Sequence, residues 1–183
     1  MNNGTSLMTE NELVKACLDG NNAAQRQFYE QYARRMMGLC LRYAVNTEEA
    51  EDFLQDGFIK VFEKMHSFEF RGSLEGWVRR IILNTALDRL RRDIHLKDNV
   101  SLDDHLEVAG DDNPYQHLGA RELIKLVQSL PAGYRTVFNL FAVEGYSHKE
   151  IATLLNINES TSKSQYLRAK EQLQKKLISE RSV

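Results

Sequence analysis

SFEFRGSLEGWVRRIILNTALDRLRR, residues 67–92, decides how this chain is read. From Ser73 onward the apolar residues recur at helical spacing. At 100° per residue Leu83, Leu87, Leu90 and Ile94 fall on one face with Ile82 and Ala86. Arg80, Asn84, Asp88, Arg91 and His95 form a polar stripe beside it, bordered by Trp77 and Ile81. The spacing predicts a helix to about His95, capped by Ser73 and entered through a loop at Ser67 to Gly72. One face packs, and the next is polar, basic and free to recognise a ligand. Arg71 to Lys97 carries seven Lys/Arg against three Asp/Glu, which points to phosphate.

The surrounding chain is acidic, so the net charge of −2 hides two basic segments. Residues 1–70 hold seven bases and eleven acids, and 98–122 one base and seven acids; 123–183 return to nine bases and five acids. With 183 residues, two prolines and helical periodicity throughout, the expected class is all-α. Cys17 and Cys40 sit in apolar helical patterns without metal-ligand spacing and read as reduced core residues. The scattered histidines suggest no zinc site, and no cofactor is implied. No apolar run approaches the roughly 20 residues of a membrane span, so a cytoplasmic protein is expected.

Upstream, a short helix from about Glu10 to Asp19 ends at Gly20, and a longer one runs from about Asn22 to Ala44 with Phe28, Tyr32, Met36, Leu39 and Tyr43 as its core stripe. Asn46 or Thr47 caps a third helix to about His66 that buries Phe53, Leu54, Phe58 and Val61. Its other side carries Glu48, Glu49, Glu51, Asp52 and Asp56, the first of these suited to the positive end of the helix dipole. Gly57 interrupts this helix at a cost of about 0.5–1 kcal/mol relative to Ala, for which close approach of a neighbouring helix is one reason.

Downstream, 98–118 is acidic and aperiodic, with Asp103, Asp104, Asp111, Asp112 and Pro114, and is expected to be a flexible linker between domains 1–97 and 119–183. Helices from Gly119 to Leu130 and from about Tyr134 to Glu144 carry no obvious polar site. Ser147 and Glu150 form a capping-box pattern before Ile151, Leu154 and Leu155. After a break at Asn156 to Asn158, a last helix has Tyr166, Ala169, Leu173 and Leu177 at core spacing. The pair reads as a helix-turn-helix whose second helix offers Lys163, Ser164, Gln165, Arg168 and Lys170 to a major groove. The expected architecture is thus an N-terminal helical bundle and a C-terminal helix-turn-helix domain on a flexible acidic linker.

Three motifs in order resemble the extracytoplasmic-function sigma factors of bacterial RNA polymerase: Glu51 to Phe58; Phe70-Arg71-Gly72-Ser73 followed by Trp77 to Ile81 and Asn84; and Leu130-Pro131, Arg135, Glu150-Ile151-Ala152, Asn158-Glu159 and Lys163-Ser164. The resemblance implies a non-enzymatic promoter-specificity subunit whose partners are core polymerase, promoter DNA and an anti-sigma factor. It implies that Asp52, Gln55 and Asp56 bind core polymerase. It further implies that Phe68, Phe70, Arg71, Trp77, Arg80, Asn84 and Arg91 take the minus-ten strand, the loop forming a pocket for one extruded base. Ser160, Thr161, Lys163, Ser164, Gln165 and Arg168 would then read the minus-thirty-five element. Stacking rings, a polar edge and a basic track for the backbone are what capture of unpaired bases requires. Trp77 fits a core anchor as well as a stacking surface. The sequence departs from the family at Ser160, Ser162 and Gln165, where Gly, a small apolar residue and Arg are frequent, and at Gly57, where Thr is usual.

Two other readings are open to the residues. An autonomous helix-turn-helix regulator would bind a palindrome as a dimer without polymerase. An enzyme would need a fixed scaffold for Asp103, Asp104, Asp111 and Asp112, which the sequence does not provide.

Overall fold

The computed structural model describes residues 8–97 and 118–180. The expected linker 98–118, with its five aspartates, lies outside the described residues but for its last residue, as do the side chains of Ile94, His95 and Leu177. Among the described residues the architecture is all-α. The helices are α1 (Glu10–Leu18), α2 (Asn22–Tyr43), α3 (Thr47–Lys64), α4 (Leu74–Lys97), α5 (Leu118–Gln128), α6 (Ala132–Phe138), α7 (His148–Leu155) and α8 (Glu159–Glu180).

Local chemistry sets most helix ends. Thr9 and Glu12 cap α1 reciprocally, Asn21 accepts from the Ala23 and Ala24 amides at the start of α2, and Asn46 accepts from the Glu49 amide at the start of α3. Gly20 stands at φ +77° after α1, where a side chain would be strained.

α1 to α4 form a bundle around Phe28, Tyr32, Phe53, Val61, Val78 and Ile82. Cys17 and Cys40 are buried and unpaired with each other, and desolvation pushes the Cys40 thiol up to about 12. The tightest approach is between α3 and α4. A Cβ on Gly57 would lie 2.7 Å from Ile82 Cγ1 and 3.2 Å from its Cβ, so glycine is required there by the neighbouring helix. Gly57→Ala is therefore expected to destabilise the bundle even though Ala is the better helix former. Overpacking costs about 1–3 kcal/mol, against a propensity gain of about 0.5–1 kcal/mol. Thermal melting should show a lower Tm, and an unchanged or raised Tm would mean that Ile82 yields without cost.

α5 to α8 do not stand apart from this bundle. Val137, Leu140, Ile151 and Leu155 share one continuous apolar core with it, while Leu126, Leu130, Ala169 and Leu173 form a small separate cluster. The described residues of the two halves thus touch directly. The segment expected as one helix from Tyr134 to Glu144 also divides. α6 gives way at Asn139–Val143 to a π-helical turn in which the Glu144 amide donates to the Asn139 carbonyl. Such turns arise where a side chain leaves the regular ladder. Here the buried Asn139 amide donates to the Arg135 carbonyl and across to the carbonyl of Arg42.

Candidate nucleic-acid and polymerase interface

The loop before α4 is shaped by two left-handed residues, Phe70 at φ 57° and Gly72 at φ 82°. For a bulky aromatic this backbone is uncommon, and neighbouring rings surround it. The Phe68 ring lies 5.1 Å from that of Phe70 and 5.4 Å from that of Trp77, both tilted. Phe68 was expected to face DNA, but it is 7% exposed and belongs to the bundle core. The chain reversal that projects Phe70 outward, at 43% exposure, turns Phe68 inward as its support. Trp77 is half-buried against the same core, so it anchors the bundle and still shows part of its ring.

Ser73 Oγ accepts from the Gly76 amide at 3.2 Å and starts α4. Along that helix Arg80 and Asn84 are exposed, one and two turns beyond Trp77, and Arg71 is exposed beside Glu69 at 3.8 Å. Arg91 is half-buried and paired with Asp88. The remaining arginines divide by direction. Arg89 turns to α3, bonding Asp52 at 2.9 Å and Asp56 at 3.0 Å, with its guanidinium 5.7 Å from the Phe53 ring centroid. Arg79 turns the other way and pairs with Glu144 beyond α6. Arg79 thus faces away from Arg80, because one residue's 100° rotation separates the two.

Asp52, Gln55 and Asp56 are exposed on one side of α3. Beside them a groove of about 540 Å³ opens between α2 and α3, lined by Tyr29, Met37, Leu54, Phe58 and Ile59. Tyr29 and Ile59 are 41% and 50% exposed, which makes this an apolar channel with an acidic border.

In the second half Ser147 and Glu150 form the reciprocal cap at α7, and Asn156 closes it in the left-handed conformation at φ 54°. The two helices are fixed to each other by polar and aromatic contacts. Fully buried Ser162 bonds His148 Nδ1 at 2.9 Å, and the His148 ring stacks on Phe141 at 4.3 Å with Tyr166 alongside. Ser162, where the family often carries an apolar residue, is thus a helix–helix contact.

Of the expected readers, Ser160, Lys163, Ser164 and Arg168 are exposed on α8. Lys163 pairs with Glu159 at 2.7 Å, Ser164 Oγ donates to the Thr161 carbonyl, and Arg168 donates to Tyr134 Oη at 3.2 Å. Thr161 and Gln165 are half-buried, and Gln165 lies over Gly133 of α6, where a Cβ would stand 3.2 Å from its Nε2. Gln165 thus turns toward α6. Leu167 was missed: it is 57% exposed beside Ser164 and Arg168, and its position off the Tyr166, Ala169, Leu173 stripe was the available signal. Also missed were Gln128, Asn139 and Glu144, on segments that seemed to carry no polar site.

Comparison with known proteins agrees with this layout. Residues 28–93 match the family model for Sigma-70 region 2, and residues 120–173 that for Sigma-70, region 4. The chain is 34% identical over 163 residues to the ECF RNA polymerase sigma factor SigE of Mycolicibacterium smegmatis, covering 84% of this chain but 63% of that protein. Against SigW of Bacillus subtilis it is 31% identical over 176 residues, covering 90% of this chain and 94% of SigW. Among solved structures, the sigma factor RpoE of Bartonella quintana, crystallised with the anti-sigma factor NepR, matches with a TM-score of 0.52 at 25% identity over 84% of this chain and 96% of that one. Identity sustained over almost the whole of SigW, with both family models in the same order, establishes that the chain belongs to the ECF family of RNA polymerase sigma factors.

Proposed function

We infer that this chain is a promoter-specificity subunit that joins core RNA polymerase in the cytoplasm, performs no catalysis of its own and is held in check by an anti-sigma partner, as RpoE is bound by NepR. The observation that carries this is the pairing of two unlike exposed surfaces on one chain. Phe70, the visible part of Trp77, Arg80 and Asn84 offer stacking, polar edges and charge, the set suited to unpaired bases. Ser160, Lys163, Ser164, Leu167 and Arg168 offer hydroxyls, cations and one methyl-contacting side chain, the set suited to a duplex major groove. Asp52, Gln55, Asp56 and the adjoining apolar groove are the surface for core polymerase, with Arg89 holding the two aspartates in place.

The decisive experiment is transcription reconstituted with core polymerase on a randomised promoter library. Selective initiation above core alone is expected, and its absence would overturn the reading. Within that assay, Lys163→Ala and Arg168→Ala should weaken dependence on the upstream element. If each cation neutralises one phosphate, each substitution lowers the slope of log affinity against log salt for holoenzyme on promoter DNA by about 0.9. Unchanged slopes in both variants would remove these residues from the phosphate contacts.

A further inference from the structure

The side chains expected to read the upstream element do not share one face of α8. At 100° per residue Ser160, Ser164 and Leu167 span about 60°, opposite the buried stripe of Ser162, Ala169 and Leu173. Gln165 lies about 100° from Ser164 but only about 40° from Ala169, at the border where α8 packs against α6.

A glutamine at such a border has two places to go. Its amide can extend into a major groove, where it pairs with two atoms of adenine at once, or fold back over the neighbouring helix. Here it folds back, and α6 makes room. A Cβ at Gly133 would stand 3.2 Å from Gln165 Nε2, 3.4 Å from Oε1 and 3.5 Å from Cδ, the first of these tighter than side chains ordinarily pack. Gly133 is not among the glycines with positive φ, so its backbone does not require glycine. Glycine also lowers helix propensity. What the missing side chain provides is a seat for Gln165. The Gln165 amide has no hydrogen-bond partner among the described residues, so fit alone keeps it there.

The next residue of α6 holds another side chain of α8. Arg168 donates through Nη1 to Tyr134 Oη at 3.2 Å and remains exposed. It lies about 40° from Ser164 around the helix. Arg168 is thus presented beside Ser164 and Leu167, while Gln165 is withdrawn.

We propose that the first turn of α6 determines which side chains of α8 read duplex DNA. Gly133 withdraws Gln165 and Tyr134 orients Arg168, which leaves Ser160, Ser164, Leu167 and Arg168 as the reading set. Gly133 and Tyr134 are positioning residues that contact no base themselves. Their role rests on the reading of the chain as a sigma subunit, which supplies the duplex that α8 enters.

The test compares holoenzymes on a promoter library randomised in the upstream element, scored by initiation. Gln165→Ala alone should leave the selected sequences unchanged, because the withdrawn amide reads nothing. Gly133→Met fills the seat and sends the amide outward. It should add a preference for adenine at one base pair of about 5- to 150-fold, the discrimination of a bidentate contact. Gln165→Ala in the Gly133→Met background should abolish that preference, an outcome that a packing effect of methionine would not give. Gly133→Ala, the second variant should Gly133→Met fold poorly, should shift the profile the same way by a smaller factor. Tyr134→Phe keeps the ring and removes one hydroxyl. It should relax selectivity at one base pair by about 2- to 10-fold, and leave the salt slope of promoter binding unaltered because Arg168 keeps its charge. A changed profile for Gln165→Ala alone, or unchanged profiles for folded Gly133→Met and Tyr134→Phe, would overturn the proposal. The same library, selected as duplex by binding to the full chain without polymerase, separates this proposal from the reading beneath it. An adenine preference gained there by Gly133→Met, with no selective initiation from any holoenzyme, would overturn the sigma reading alone. Selective initiation with profiles indifferent to Gly133 and Tyr134 would overturn only the positioning role.

Discussion

Arg135→Met is expected to lower the stability of the folded chain by about 3 kcal/mol, the largest loss for any single side chain at the seam between the two halves. Arg135 is 1% exposed and has no carboxylate partner in hydrogen-bond contact among the described residues; it is held by three carbonyls from two helix ends. Two effects compete. Removing a buried charge recovers solvation, and burial already drives this guanidinium below its usual pKa. Against that, the Tyr43, Gln128 and Leu130 carbonyls would lose their donor, at roughly 1–3 kcal/mol for each buried group left unpaired. Three acceptors outweigh one desolvated cation, so the net sign is destabilising. For a chain of this size about 3 kcal/mol corresponds to a Tm lower by roughly 6–12 °C. Arg135→Lys should fall between, because a point charge cannot satisfy three fixed acceptors as a planar fork does. Arg26→Ala, which breaks an exposed pair with Glu30 one turn away, should leave Tm unchanged. If Arg135→Met melts within a degree of the parent, the guanidinium does not hold the seam.

What the sequence made legible was whatever is decided within one turn of chain. Gly20, Asn46 and the Ser147–Glu150 box each announce a helix end through contacts no more than four residues apart, and all stand where expected. Gly57 was legible as an anomaly: a poor helix former in a helix needs a reason, and Ile82 supplies it. The seam was not legible. Gln128, Arg135 and Asn139 meet α2 across 87 to 97 positions, and donors at such separations leave no periodic trace. The segments that carry them read as having no obvious polar site, and Arg135 stood out only as part of a family motif. The same limit explains Phe68 and Phe70, whose opposite fates depend on a left-handed turn that composition does not reveal, and Arg79 and Arg80, which differ by one step around a helix.

Trp77→Ala is expected to reduce promoter opening by about 5- to 150-fold while leaving core-polymerase binding unchanged. The range follows from about 1–3 kcal/mol for one base stacked on an aromatic ring, at tenfold per 1.4 kcal/mol. The substitution also removes packing, because Trp77 lies 5.4 Å from Phe68 and partly covers the bundle core. Two controls separate these effects. Phe68→Leu disturbs the same packing from beneath, and Phe68 is buried, so it should cost stability with little effect on opening once the folded fraction is equalised. Asn84→Ala touches an exposed residue, so it should reduce opening without lowering Tm. Trp77→Phe keeps a ring in place and should retain much of the parent activity. Opening is read by permanganate reactivity of unpaired thymines in holoenzyme complexes at a fixed folded concentration. Should Trp77→Ala open promoters as well as Phe68→Leu does, and Asn84→Ala as well as the parent, the surface formed by Phe70, Trp77 and Asn84 does not hold an unpaired base. The opposite pattern would place the recognition step on the exposed ring and amide, and leave Phe68 and the left-handed turn the separate task of presenting them.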